Sequence, residues 1–154
     1  MWMPGQSVLN EGTGFLNPVE ETTLTIPSTA AKVISVGAYD SRNDQLADFS
    51  GRGFTRQTNE VKPDLAAPGV NILSTAPGGG YVVRSGTSMA TPFVTGSAAL
   101  LMQWGIVNGN DAFLYGEKIK AYFLRGARHL PVLREYPNPQ IGWGALCVRD
   151  SLPE

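Results

Sequence analysis

Apolar residues in this chain fall into short runs broken by proline- and glycine-bearing turns, with one long exception in the middle. From residue 88 to about residue 104 the pattern predicts a helix apolar nearly all round, through Ala90, Phe93, Val94, Ala98, Ala99, Leu100, Leu101 and Met102. Such a helix belongs inside a domain. Gly96, Ser97, Ala98 and Ala99 are small enough for neighbours to approach closely, and Pro92 falls in the first turn or so, where few backbone bonds are lost. A second helix is predicted from about residue 111 to 125. Asn110 serves as its N-cap, Phe113, Leu114, Ile119, Tyr122 and Phe123 form its apolar face, and Gly126 ends it.

Strands are predicted at residues 22–26, at the mostly apolar run 32–39, and at 63–67 and 70–74, split by Pro68-Gly69. Residues 40–43 and 50–53 carry turn chemistry, residues 77–80 form a loop, and residues 81–84 lead from it to Ser88. Tyr136 to Gly144 reads as a proline- and glycine-rich turn entering a final apolar segment. Parallel-type strands alternating with buried helices give an α/β class.

Composition narrows the picture only a little. At 154 residues, 42% hydrophobic and 16% charged, the chain suits one lightly charged domain with one core. A net charge of −1 offers no attraction to nucleic acid or an anionic membrane, so neither is expected as a partner. Ser97 and Gln103 interrupt the best transmembrane candidate, and Met1-Trp2-Met3-Pro4 lacks the basic and apolar regions of a signal peptide. One cysteine, Cys147, excludes an internal disulfide and reads as a small buried hydrophobe.

The chemistry concentrates in Arg84-Ser85-Gly86-Thr87-Ser88-Met89-Ala90-Thr91-Pro92. Here a serine stands where a glycine-bearing turn becomes a helix. Unpaired N–H groups and the positive end of the helix dipole then surround its hydroxyl. That setting suits a nucleophile whose attack creates an oxyanion. A serine that merely caps a core helix would look the same in isolation.

The string resembles the nucleophile segment of the subtilisin-like serine proteases, the subtilases. Lys62-Pro63-Asp64 with Ala67-Pro68-Gly69 and Ile72-Leu73-Ser74-Thr75 resembles a second family segment, and Val36-Gly37-Ala38 with Phe49-Ser50 a third. The likeness is strong over residues 26–104 and looser over 105–152. It implies a partial subtilisin-like fold, with mostly parallel strands and a buried central helix after the nucleophile. It also implies a serine endopeptidase working through a Ser-His-Asp triad and an acyl-enzyme on polypeptide substrates.

By that resemblance Ser88 is the nucleophile and its N–H one oxyanion donor. Gly86 and Thr87 shape the substrate pocket, and Met89 packs behind the serine. Tyr81 and Arg84 border the leaving-group side, where Arg84 is expected to favour acidic or polar residues beyond the scissile bond. Asn10-Glu11-Gly12 matches the family's Asn-Glu-Gly, whose Asn is the second oxyanion donor. Pro4-Gly5-Gln6-Ser7 stands where the family has an apolar strand, so Asn10 reads first as a turn residue and second as that donor.

The triad's other members are expected upstream of the serine, in the order Asp, His, Ser. The only histidine, His129, follows the serine and reads as a surface or helix-capping residue. The chain thus reads as the C-terminal part of a catalytic domain, with its N-terminal half as a required partner. A pseudoprotease or non-catalytic binding module in the same fold is the alternative. Trp2-Met3-Pro4, then Thr22 with Leu24-Thr25-Ile26-Pro27, Ala47-Asp48-Phe49-Ser50-Gly51-Arg52-Gly53 and Tyr136-Pro137-Asn138 further resemble clostridial spore-germination subtilases. That makes residues 1–20 the exit from an upstream insertion and 21–154 the C-terminal catalytic part. A secreted or spore-associated location follows from the same resemblance, with no metal in this chain and no cofactor beyond the calcium that the full family fold can carry.

Overall fold

The computed structural model describes residues 6–153, so Trp2-Met3-Pro4, Met1 and Gly5 lie outside the described residues. At its centre, strand β1 (Val36–Asp40) runs parallel to β3 (Leu65–Pro68) in the register Val36↔Leu65 to Tyr39↔Pro68. The short β2 (Gln45–Leu46) pairs antiparallel on the other side, giving the order β2-β1-β3. Ala66 and Ala145 add a parallel bridge. Separately, β4 (Ile72–Thr75) and β5 (Tyr81–Arg84) form an antiparallel ribbon. The parallel character expected of the sheet therefore holds at its centre, while the approach to Ser88 is a hairpin. Its glycine loop, Gly78 to Gly80, has positive φ throughout.

Alternation along the strands sends neighbouring residues to opposite faces. Ala38, Leu65 and Ala67 enter one core cluster, and Tyr39 and Ala66 a second with Leu130, Ile141 and Ala145. Over the first lies α1 (Thr87–Met102), whose buried residues Ala90, Val94, Ser97 and Leu101 recur at helical spacing. Helix α2 (Gly116–Arg125) adds Ile119 and Phe123, and a one-turn α3 (Val148–Ser151) follows.

Several elements differ from the expectations. Residues 22–26 form no strand. Thr22 has a positive φ of 55°, and the Thr23 N–H bonds to the Arg52 carbonyl in a loop-to-loop contact. The 32–39 run becomes a strand only at Val36, because the Ser35 N–H is taken by the Asp64 carboxylate at 2.7 Å. α2 starts at Gly116 with Tyr115 as N-cap, since Asn110 instead donates its side-chain amide to the Trp104 carbonyl at 2.8 Å.

α1 runs on through a π turn (Gln103–Val107), so Thr87–Val107 is a 21-residue, largely apolar helical stretch. Ser97 and Gln103 do not interrupt it, and by length and composition it could cross a membrane. Its buried stripe nonetheless lies against β1 and β3, as in a core helix. Its apolar surface is covered on one side only: Phe93, Leu100 and Met102 are 42%, 58% and 42% exposed. Cys147 is half-buried, with its thiol 3.2 Å from the Asp150 carboxylate.

Candidate active site

Two glycines set the position of Ser88. The Gly69 N–H bonds to the Tyr39 carbonyl at 3.0 Å, and the Gly86 N–H to the Gly69 carbonyl at 2.8 Å, so the α1 N-terminus hangs from the end of β1. Gly86 sits at φ 153°, ψ 159°, a region essentially closed to residues with a Cβ. Its carbonyl then accepts the Met89 and Ala90 N–H groups at 3.0 and 3.3 Å, beginning the helix. Just before it, the Ser85 hydroxyl accepts the Asn71 N–H at 2.9 Å and locks the end of β5 to the start of β4.

Ser88 is the second residue of α1 and is exposed. Among the described residues the Thr87 and Ser88 N–H groups meet no acceptor. They project with the helix dipole from a first turn carrying no acidic side chain. Ser88 separates two clefts. One, of about 310 Å³, is largely apolar, between Ile72 and Leu73 of β4 and Met89, Pro92 and Phe93 of α1. The other, of about 420 Å³, is rich in hydroxyls: Thr25, Ser28 and Ser35 face Thr87 and Thr91 across it. The donors, the hydroxyl and an open groove are together; a proton acceptor for Ser88 Oγ is not among the described residues.

The remaining expected residues are distributed as follows. Thr87 lines the hydroxyl-rich cleft and Gly86 is the helix N-cap. Tyr81 and Arg84, both exposed, stand at opposite ends of β5, opposite Thr75 and Ile72. Asn10 lies in an exposed turn, its carbonyl accepting the Thr13 N–H at 3.1 Å, and it lines neither Ser88 cleft. His129 is exposed and stacks flat on Tyr136, ring centroids 3.9 Å apart, beyond the end of α2.

Sequence reading missed the cleft residues Thr25, Ser28 and Ser35, and it missed the role of Lys62-Pro63-Asp64. Lys62 and Asp64 are 1% and 2% exposed and joined at 2.8 Å behind the hydroxyl-rich cleft. Burial pushes the Lys62 ammonium below its ordinary pKa, against the opposing pull of the Asp64 carboxylate. Their i, i+2 spacing, which places both on one side of an extended segment, was the available signal.

Comparison with known proteins decides the lineage of this arrangement. The model of the subtilase family matches residues 9–144. The chain belongs to the subtilase family. As a subtilase it is similar to the CspB protease of Clostridium perfringens, whose solved structure superposes with a TM-score of 0.87 at 51% identity, covering 92% of this chain and 31% of that one. It is 36% identical to the minor extracellular protease Vpr of Bacillus subtilis over 97% of its own length and 19% of Vpr. The serine protease AprX of Bacillus subtilis matches 54% of this subtilase at 41% identity, over 23% of AprX. The chain thus spans a third or less of each of these relatives.

Proposed function

We propose that this subtilase chain carries the nucleophile of a serine endopeptidase whose histidine and aspartate come from a segment outside residues 1–154. The observation that carries the reading is Ser88 itself: exposed, at a helix N-terminus with free N–H donors, on the rim of two clefts, and without an imidazole. In the reaction, Ser88 Oγ attacks a peptide carbonyl while the incoming histidine takes its proton. The oxyanion is held by the Ser88 N–H, the acyl-enzyme forms as the amine leaves, and water releases it. Thr87 and Gly86 shape the substrate groove, and Tyr81 and Arg84 border the leaving-group side, with Arg84 favouring acidic or polar residues there. A second oxyanion donor comes with the added segment, or from Asn10 if its turn is drawn in.

The uncovered face of α1, through Phe93, Leu100 and Met102, supports docking of that segment, as do the exposed Leu73 and Val83 of the hairpin. In this layout residues 1–20 are the exit from an upstream region and 21–154 the C-terminal catalytic part. The likeness to the CspB protease, with the strings at residues 47–53 and 136–138, supports the narrower placement among clostridial spore-germination subtilases and a secreted or spore-associated location.

A fluorophosphonate probe tests the proposal. The chain alone should label at trace level. Mixed with the preceding part of a CspB-like subtilase carrying the aspartate and histidine segments, it should label at Ser88, and Ser88→Ala should abolish the signal. A stable but unlabelled complex would favour the pseudoprotease reading. Equal labelling of the isolated chain would overturn the claim that a base is lacking.

A further inference from the structure

One wall of the hydroxyl-rich cleft is held from behind by three charged side chains that no step of the hydrolysis uses. Lys62 Nζ lies 2.8 Å from Asp64 Oδ2 and donates to the Val33 carbonyl at 2.8 Å. Lys120 reaches over from α2, 2.6 Å from Asp64 Oδ1, and donates to the carbonyls of Ala31 at 3.1 Å and Val33 at 3.4 Å. Asp64 Oδ2 also accepts the Ser35 N–H at 2.7 Å. The stretch 31–35 therefore satisfies much of its backbone through side chains, at the point where β1 has not yet begun. Val33 and Ser35 of this stretch line the cleft beside Ser88, and the Ser35 hydroxyl bonds to that of Ser28 on the adjoining 25–28 stretch.

Two ammonium groups around one carboxylate in a buried site are a poor device for stability, because desolvation consumes most of the attraction. They are a good device for fixing carbonyl directions. We propose that Lys120, acting with the Lys62–Asp64 pair, is a positioning residue that sets the width of the substrate cleft at Ser88. This rests on Ser88 being the nucleophile. Lys120 is the informative member: its side chain is 18% exposed, and its removal leaves a neutral Lys62–Asp64 pair behind, so the variant retains a balanced interior.

In the complex that labels at Ser88, Lys120→Met should raise KM about tenfold and leave kcat within about twofold, and Lys120→Arg should restore KM. In the chain alone, hydrogen exchange at the Ser35 amide should accelerate about tenfold in Lys120→Met, with the α1 amides of Val94 and Leu101 unchanged. An unchanged KM would overturn the proposal, as would acceleration shared equally by Ser35 and α1. If no complex turns over even with wild-type sequence, the nucleophile reading fails separately, and Ser35 exchange decides whether Lys120 holds the wall.

Discussion

Gly69→Ala probes the contact that seats Ser88. A Cβ built on Gly69 would lie 2.6 Å from the Ala38 Cβ, 3.0 Å from the Gly86 carbonyl oxygen and 3.4 Å from the Ala90 Cβ. The first distance is a collision and the second presses on the residue that caps α1, so the helix N-terminus must move off the sheet. Overpacking of this kind costs about 1–3 kcal/mol. Gly69 is not in the left-handed region, so alanine can adopt its backbone and recovers about 0.4–1 kcal/mol by restricting the unfolded chain. The net expectation is a loss of about 1–2 kcal/mol. Urea unfolding followed by far-UV circular dichroism measures it, with an unchanged m-value as the check that only stability moved. Ala38→Gly removes the colliding methyl. Although it costs about 0.5–1 kcal/mol on its own, the double variant should recover part of the loss, with a coupling of about 1 kcal/mol. A neutral Gly69→Ala, or effects that simply add, would refute the view that this backbone approach seats Ser88.

Two further outcomes test the frame around the site. Arg42 hydrogen bonds hold the Asp40 carboxyl down at about 2, so its stabilisation is complete above the ordinary carboxylate range and is lost as pH falls through about 2. Asp40→Asn should therefore flatten the acid limb of stability between about pH 4 and 2, checked by denaturant midpoints across that range; an unaltered limb would count against the pair. Phe123, fully buried between α2 and the first core cluster, should cost about 3–5 kcal/mol on truncation to alanine, and a loss below about 1 kcal/mol in thermal or urea unfolding would mean that α2 is not docked as described.

Much of the site was legible locally, because its chemistry is local. Ser88 at the start of a helix follows from Gly86, the small residues after it and the dipole at the first turn, all within a few positions of one another. The same holds for β1 and β3, whose mostly apolar runs mark strands covered on both faces. Where a backbone group found a distant partner, the local reading failed. Thr23 bonds to Arg52 and not to a neighbouring strand, Ser35 surrenders its N–H to Asp64, and Asn110 turns back to Trp104 instead of capping α2.

The sequence by itself determined the place of Ser88 at the head of a buried helix and the absence of a histidine before it in these 154 residues, since each depends on residues within a few positions of one another or on simple composition. The tertiary structure decided which side of α1 is covered and which hydroxyls face Ser88 across a cleft. It alone brought Lys120 to Asp64, a partner 56 positions earlier. Those pairings come from chain segments converging in space, where burial and electrostatic satisfaction outweigh the preferences that a short stretch of residues expresses.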